Sequence, residues 1–141
     1  MKPNRIYLAV PSMLLALALA GCTTTDGAGS GGLLSARPSA SASYIAALQG
    51  GIVSRSGVEI SNSDRSRALE AEYRALEAAP GGQPVAWNGR GVSGQVIAAA
   101  PYQVGSQNCR QYTHTVTSDG RELKARGAAC RNKDGTWTPL V

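Results

Sequence analysis

Cys109-Arg110-Gln111-Tyr112-Thr113-His114-Thr115-Val116-Thr117-Ser118-Asp119-Gly120-Arg121-Glu122-Leu123-Lys124-Ala125-Arg126-Gly127-Ala128-Ala129-Cys130 is the stretch whose reading decides the fold. Two alternating runs flank Asp119-Gly120. That dipeptide is a strong hairpin signal, because both loop positions need positive φ, which glycine adopts freely and aspartate tolerates. A two-residue loop fixes the register: Ser118 faces Arg121 and, counting outward, Cys109 faces Cys130. The two cysteines fall at a non-hydrogen-bonded pair, where Cα atoms lie about 4.5 Å apart, at the short end of the span a disulfide bridges. A Cys109–Cys130 disulfide is therefore expected. The same register puts Tyr112, His114, Val116, Leu123, Ala125 and Ala129 on one face, the core side, and Thr113, Thr115, Thr117, Glu122, Lys124 and Arg126 on the other, the water side. Tyr112 stands opposite Gly127, where an aromatic ring can cover the backbone that glycine leaves bare.

Working back from the hairpin, Val85–Asn88 and Val92–Ala98 read as two short strands separated by Gly89-Arg90-Gly91, and Pro101 breaks the chain just beyond them. A second Asp-Gly pair, Asp134-Gly135, marks a turn near the C-terminus. The clearest helix runs from about Asp64 to Ala79, with Ser61, Asn62 or Ser63 able to cap it and Asp64 well placed for the helix dipole. Leu69, Tyr73 and Leu76 make its apolar stripe, widened by Ala68, Ala75 and Ala79; Glu72 intrudes on that edge, so the stripe is narrow. Glu70 and Arg74 stand at i, i+4 in the favourable order for an ion pair. Pro80-Gly81-Gly82 stops the helix. In residues 44–60, Tyr44, Ile45 and Leu48 fit one face of a short helix that Gly50-Gly51 interrupts before Ile52-Val53; packing on the domain is favoured over contact with a membrane.

The N-terminal third reads as export signal and tether. Lys2 and Arg5 precede an apolar run from Ile6 to Ala20, which closes on Leu19-Ala20-Gly21-Cys22. The run is shorter than the roughly 20 residues of a spanning helix and has the layout of a cleaved signal peptide. Small Ala20 and Gly21 suit a lipoprotein signal peptidase, and Cys22 offers the thiol that is acylated. Thr23 rather than Asp after that cysteine leans toward outer-membrane sorting. Residues 23–43 are rich in Thr, Gly, Ser and Ala, with Leu33-Leu34 as the only bulky apolar pair, too little to build a core; as a coil they would span roughly 25 Å. Loss of Lys2 and Arg5 lowers the formal charge from +5 to +3. With no clustered Lys/Arg run to track a phosphate backbone, nucleic-acid binding is not expected. Lipidation of Cys22 leaves an even pair, Cys109 and Cys130, for an oxidising compartment.

No enzyme is legible. His114 is the only histidine, and on the inward face beside Tyr112 it reads as a hydrogen-bonded core residue. Zinc sites and Cys-His nucleophile pairs are excluded by count. There is no Gly-x-Ser-x-Gly elbow, and Gly91-Val92-Ser93-Gly94 lacks the third glycine and following helix of a dinucleotide loop. No catalytic, cofactor-binding or metal-ligating set is therefore expected. Trp87, Tyr102 and Trp137 stand as candidate contact aromatics, with burial in a small core as the competing reading.

In order, Trp87-Asn88, Gly91-Val92-Ser93-Gly94-Gln95-Val96, Cys109-Arg110-Gln111-Tyr112, Gly127-Ala128-Ala129-Cys130-Arg131 and Asp134-Gly135-Thr136-Trp137 resemble the C-terminal domain of the rickettsial seventeen-kilodalton surface antigen family of outer-membrane lipoproteins. The resemblance covers roughly residues 50–140. Those proteins carry a long glycine-zipper segment before the helix, of which Gly50-Gly51 and Gly57 remain here, so Cys22 is expected to be the main anchor. The resemblance implies an envelope protein without known catalysis.

The expectation is thus an α+β fold in three parts: a signal peptide (1–21), a disordered tether from lipidated Cys22 (22–43), and a domain (44–141) of one helix followed by a small antiparallel sheet closed by the disulfide. The expected function is that of an outer-membrane lipoprotein with a structural or binding role, attached to membrane through its lipid, with envelope proteins or peptidoglycan as partners and either membrane face open. The alternative is a periplasm-facing module that binds or inhibits through peptide or peptidoglycan.

Overall fold

A computed structural model describes residues 40–140. The signal peptide, Cys22 and the tether up to residue 39 lie outside the described residues.

The Asp119-Gly120 turn forms as its chemistry demands, with φ of 50° and 73°. It joins β4 (Gln107–Ser118) to β5 (Arg121–Arg131), the two longest strands. Every pair from Ser118↔Arg121 to Cys109↔Cys130 is in the expected register, and the disulfide is present with its Cα atoms 4.0 Å apart. Around this hairpin the other strands assemble antiparallel: β1 (Pro84–Asn88) on β2 (Val92–Ala98), β2 on β4, and β6 (Trp137–Leu140) on β5. β3 (Tyr102–Val104) pairs with the start of β4, beyond the end of β2. The spatial order is β1-β2-β4-β5-β6, with β3 attached to β4 alone. The α+β architecture is as expected; β3 and the strand character of 137–140 are additions to it.

One face of the sheet is covered by helices. α2 (Asn62–Glu77) is capped by Ser61, whose hydroxyl accepts from the Asp64 amide. Its apolar edge buries Ala68, Leu69, Ala71, Ala75 and Leu76 against Trp87, Val96, Ala98, Tyr112 and Val116. The helix ends at Glu77, just short of Pro80, and the loop returns with the Gly82 amide on the Ala98 carbonyl. Glu70 and Arg74 do not pair; among the described residues the ion pairs of α2 run instead from Asp64 to Arg67 and from Glu77 to Arg131.

Residues 40–60 pack on the domain. α1 (Ala40–Ala47) begins within the stretch read as tether. Eight residues cannot hold a helix by local propensity. Packing holds it instead: Tyr44 stacks on Tyr73 with ring centroids 5.2 Å apart, and Leu48 has no exposed surface. Gln49, Gly50 and Gly51 then take three successive positive φ values, which turn the chain into a single 3-10 turn, Ile52–Arg55. Ile52 and Val53 enter the core. The Ile52 side chain lies in the space above Gly127 where a Cβ would stand. Tyr112 keeps its register opposite Gly127, but the glycine is covered by Ile52 and not by the ring: a whole segment, absent from any strand-pair argument, uses the gap.

Among the described residues no helix covers the opposite face. Gln95, Gln111, Lys124 and Arg126 are exposed there, while Ile97, Thr113 and Ala128 are half-buried. Two residues depart from the expected sidedness. Thr115 is buried in mid-sheet between β2 and β5, and Leu123, on the core-facing parity, is 41% exposed because it lies near the hairpin tip, beyond the helix.

Candidate functional site

The polar residue that breaks the apolar stripe of α2 is the centre of the molecule. Glu72 is fully buried, where an unpaired carboxylate would be very costly. Hydrogen bonds from three directions compensate. The backbone amides of Ile52 and Val53 donate to its two oxygens at 3.1 and 2.8 Å. The Tyr112 hydroxyl donates at 3.3 Å, and His114 Nδ1 lies 2.7 Å from Oε1. On the far side of the imidazole, the Trp87 indole N–H donates to Nε2 at 2.8 Å. That bond assigns the tautomer: with Nε2 accepting, the ring proton sits on Nδ1 and points to Glu72. A chain Trp87→His114→Glu72 therefore links β1, β4 and α2, while the two amides fasten the 3-10 turn to the same carboxylate. Burial together with the Glu72 charge pushes the Tyr112 phenol far above its ordinary value of 10.0, so it serves as a hydrogen-bond donor.

Two glycines are shaped by this cluster. A Cβ on Gly51 would collide with the Glu72 carboxylate, and one on Gly94 would collide with the Trp87 indole. Both stand where a side chain would displace a hydrogen-bonding group of the network.

A second polar anchor is Arg110, 5% exposed. Its guanidinium donates to the carbonyls of Ala75, Leu76 and Ala79 at 3.0, 2.9 and 3.0 Å, and to Ala99 at 2.7 Å. The last turn of any helix leaves carbonyls without partners and concentrates partial negative charge. Arg110 satisfies those carbonyls from the adjacent strand, replacing a carboxylate partner with a helix terminus. Burial moves its pKa down from 12.5, against a guanidinium that stays protonated.

At the edge of the cluster, Arg131 grips Glu77 through two bonds of 2.9 and 3.0 Å, and the Trp137 indole N–H donates to the same carboxylate at 2.8 Å. Chiefly through Arg131, and despite opposing burial, the Glu77 carboxyl is held below its ordinary 4.5. At the other end of α2, Asp64 accepts from the Ser61 hydroxyl, the Arg67 guanidinium and the Arg90 amide, tying the helix start to the β1–β2 loop. The Ser61 bond is the main cause that lowers its carboxyl below 3.8.

The candidate residues from the sequence thus fall into three places. His114 is where its face predicted, fully buried with both ring nitrogens bonded. Trp87 and Trp137 are 4% and 3% exposed, so packing, the competing reading, describes them; Tyr102 is 38% exposed on β3. The cysteines are joined, and Cys22 lies outside the described residues. Among the described residues no group of His, Cys, Asp and Glu is placed to hold a metal ion, and no helix is long and apolar enough to cross a membrane. Sequence reasoning missed Glu72, Arg110 and Arg131 as anchors. The signal for Glu72 was available: an acidic residue inside an apolar helical stripe must find a buried partner, and the one histidine faced the core.

These features define a small, disulfide-closed α+β domain whose polar interior is spent on joining its own elements. Residues 74–138 match the family model described as 17 kDa outer membrane surface antigen, and this region of the chain is similar to that family. The 17 kDa surface antigen of Rickettsia bellii is 42% identical over 84 residues, 57% of this chain and 53% of the relative. That of Rickettsia felis is 43% identical over 77 residues, 52% and 48% of the two chains, and that of Rickettsia prowazekii is 41% identical over 75 residues, 50% and 47%. The chain spans about half the length of the curated relatives it matches. No solved structure matches it. The matched region opens in the last turn of α2 and holds the whole hairpin, Arg110, Arg131 and Trp137, whereas α1 and the 3-10 turn precede it.

Proposed function

We propose that the protein is an outer-membrane lipoprotein, anchored through acylated Cys22, which acts by supporting or binding envelope components and not by catalysis. The family description and the relatives' names point to the outer membrane or cell surface, and the Leu19-Ala20-Gly21-Cys22 box supplies the means of attachment. The observation that carries the non-catalytic reading is the commitment of the one histidine: it has no exposed surface, and its two nitrogens and the partner carboxylate are all taken by groups of the fold. Acid–base chemistry needs a proton-transfer group within reach of a substrate, and this pair is closed to one.

Labelling of cells with a palmitate analogue, with and without Cys22→Ser, tests the anchor. Label on the wild type, none on the variant, and release of a folded, disulfide-bonded domain are expected. Equal labelling of both chains would refute it. The sheet face that no described helix covers, with Gln95, Gln111, Lys124 and Arg126 exposed, supports the second reading, a module that docks peptide or peptidoglycan. Photo-crosslinkers placed at Gln95 and Gln111 in intact cells separate the two: adducts with cell-wall fragments favour the second, adducts with envelope proteins the first.

A further inference from the structure

One shallow groove opens beside the point where the described chain begins. Ser41, Tyr44 and Ile45 of α1 face Glu70, Tyr73 and Arg74 of α2 across it. Its walls are mostly carbon: the stacked Tyr44–Tyr73 pair and Ile45 are all half-buried. Arg74 on its rim is exposed and makes no ion pair among the described residues, although Glu70 stands one turn away, so a guanidinium is available next to an apolar floor. Rings with an apolar body and a polar edge, flanked by a long cationic side chain, suit the boundary between water and lipid. Position adds to composition. From Ala40 the chain runs back to Cys22 through 18 residues of sequence, so Cys22 is joined to the domain at its α1 end. The α1 end of the domain is therefore the end that a lipid on Cys22 keeps near the bilayer. The other exposed large apolar residues, Tyr102, Val104, Leu123 and Leu140, belong to strands with no such continuity.

We propose that the α1–α2 groove docks on an anionic phospholipid surface, with lipid phosphate at Arg74 and with Tyr44, Ile45 and Tyr73 against the upper acyl region. The inference rests on the reading of Cys22 as the acylated anchor. It makes the groove the side of the domain that meets the bilayer.

The test uses the full lipidated protein in vesicles of phosphatidylethanolamine and phosphatidylglycerol carrying a nitroxide-labelled lipid. An environment-sensitive dye is attached through Glu70→Cys or Ala42→Cys, beside the groove, or through Asp119→Cys at the hairpin tip. Lipid quenching at positions 42 and 70 at least threefold stronger than at 119 is expected, falling toward the tip value when Arg74→Glu and Ile45→Ser are added. Equal quenching at the three positions in protein that floats with the vesicles overturns the docking alone. Absence of acylation and of flotation overturns both the docking and the anchor beneath it. The Ala42 probe leaves both groove charges in place, so agreement between the two probes removes any effect of losing Glu70.

Discussion

Glu72 and Arg110 are charged residues of opposite sign, both inside, and neither is paired with the other. Each is held by neutral dipoles and, for Glu72, two side chains as well, so removal of either leaves several buried groups without partners at once. Arg110→Met keeps much of the stem's volume but abandons three carbonyls at the end of α2 and one at Ala99. Unsatisfied buried polar groups cost about 1–3 kcal/mol each where water cannot reach them. We expect Arg110→Met to destabilise by about 2–4 kcal/mol, read as a lowered urea midpoint. A change below about 0.5 kcal/mol would mean that water or a neighbour takes over the cap. Glu72→Gln is nearly isosteric and exchanges one acceptor oxygen for a donor, which then confronts either the Val53 amide and His114 Nδ1–H or the Ile52 amide and the Tyr112 hydroxyl. Destabilisation of about 1–3 kcal/mol is expected, with hydrogen exchange rising first at the Ile52 and Val53 amides. Uniform exchange across the domain would contradict the placement of that clamp.

The elements are joined mainly through α2, and its two ends titrate. Asp64 in the first turn and Glu77 in the last are both held below their ordinary values of 3.8 and 4.5, by the Ser61 hydroxyl and by Arg131 respectively. A carboxyl that is more acidic folded than unfolded leaves the unfolded chain with more bound protons as pH falls. Its contribution is therefore whole above the unfolded pKa and is lost on descent through the folded one. The contribution of these two carboxyls should be level from neutral pH to about 5 and decline below about 4.5. Glu77→Gln should flatten part of that decline, in urea titrations from neutral pH down to about 3. A stability that rises on acidification would overturn the assignment. Helices and hairpins are legible in the sequence to different depths. α2 and the central hairpin carry local signatures, a capped amphipathic period and an Asp-Gly turn, and both form close to the bounds those signatures indicate. β3 escapes notice although Gly105-Ser106 is a two-residue hairpin signal in its own right; three exposed residues give no alternation to find. The role of residues 48–53 is beyond reach, since it depends on a gap over Gly127 and on a carboxylate about twenty residues away, neither of which is a periodicity.

At the scale of the whole molecule the disulfide closes a loop of sequence separation 21, for which the chain-entropy model gives about 3 kcal/mol. The turn already fixes the register without it, so reduction should lower the urea midpoint while leaving the far-UV spectrum of the folded state unchanged. Cys109 and Cys130 are 0% and 5% exposed, which makes the bond resistant to reductant until the domain opens. Rapid reduction of the native protein, or loss of the sheet on reduction, would show that the bond and not the turn holds the strands. The candidate site is less legible than the fold. Position and parity place His114 and the cysteines correctly, whereas the two tryptophans, candidates for contact with a partner, turn inward. Their indole N–H groups find partners on β4 and α2, and no one-dimensional pattern distinguishes a tryptophan that needs such a partner from one that waits for another protein.

The segment from Ala40 to Ile60 is fastened by Leu48, Ile52 and Val53 and by the two amides on Glu72, and it is the stretch through which any pull from Cys22 enters the domain. Mechanically it is a fuse in series with the sheet. Drawn from its N-terminus, it is loaded at one end, whereas β4 and β5 are braced across their ends by the disulfide. Some 20 residues set free would lengthen the connection by up to about 65 Å. Stretched in a force spectrometer, the protein should give way first in one short step of this size, at a lower force than the sheet. With Gly51→Ala, whose Cβ would strike the Glu72 carboxylate, that step should move to lower force still. A single step that takes fuse and sheet together would mean that the segment is welded to the core and yields only with it.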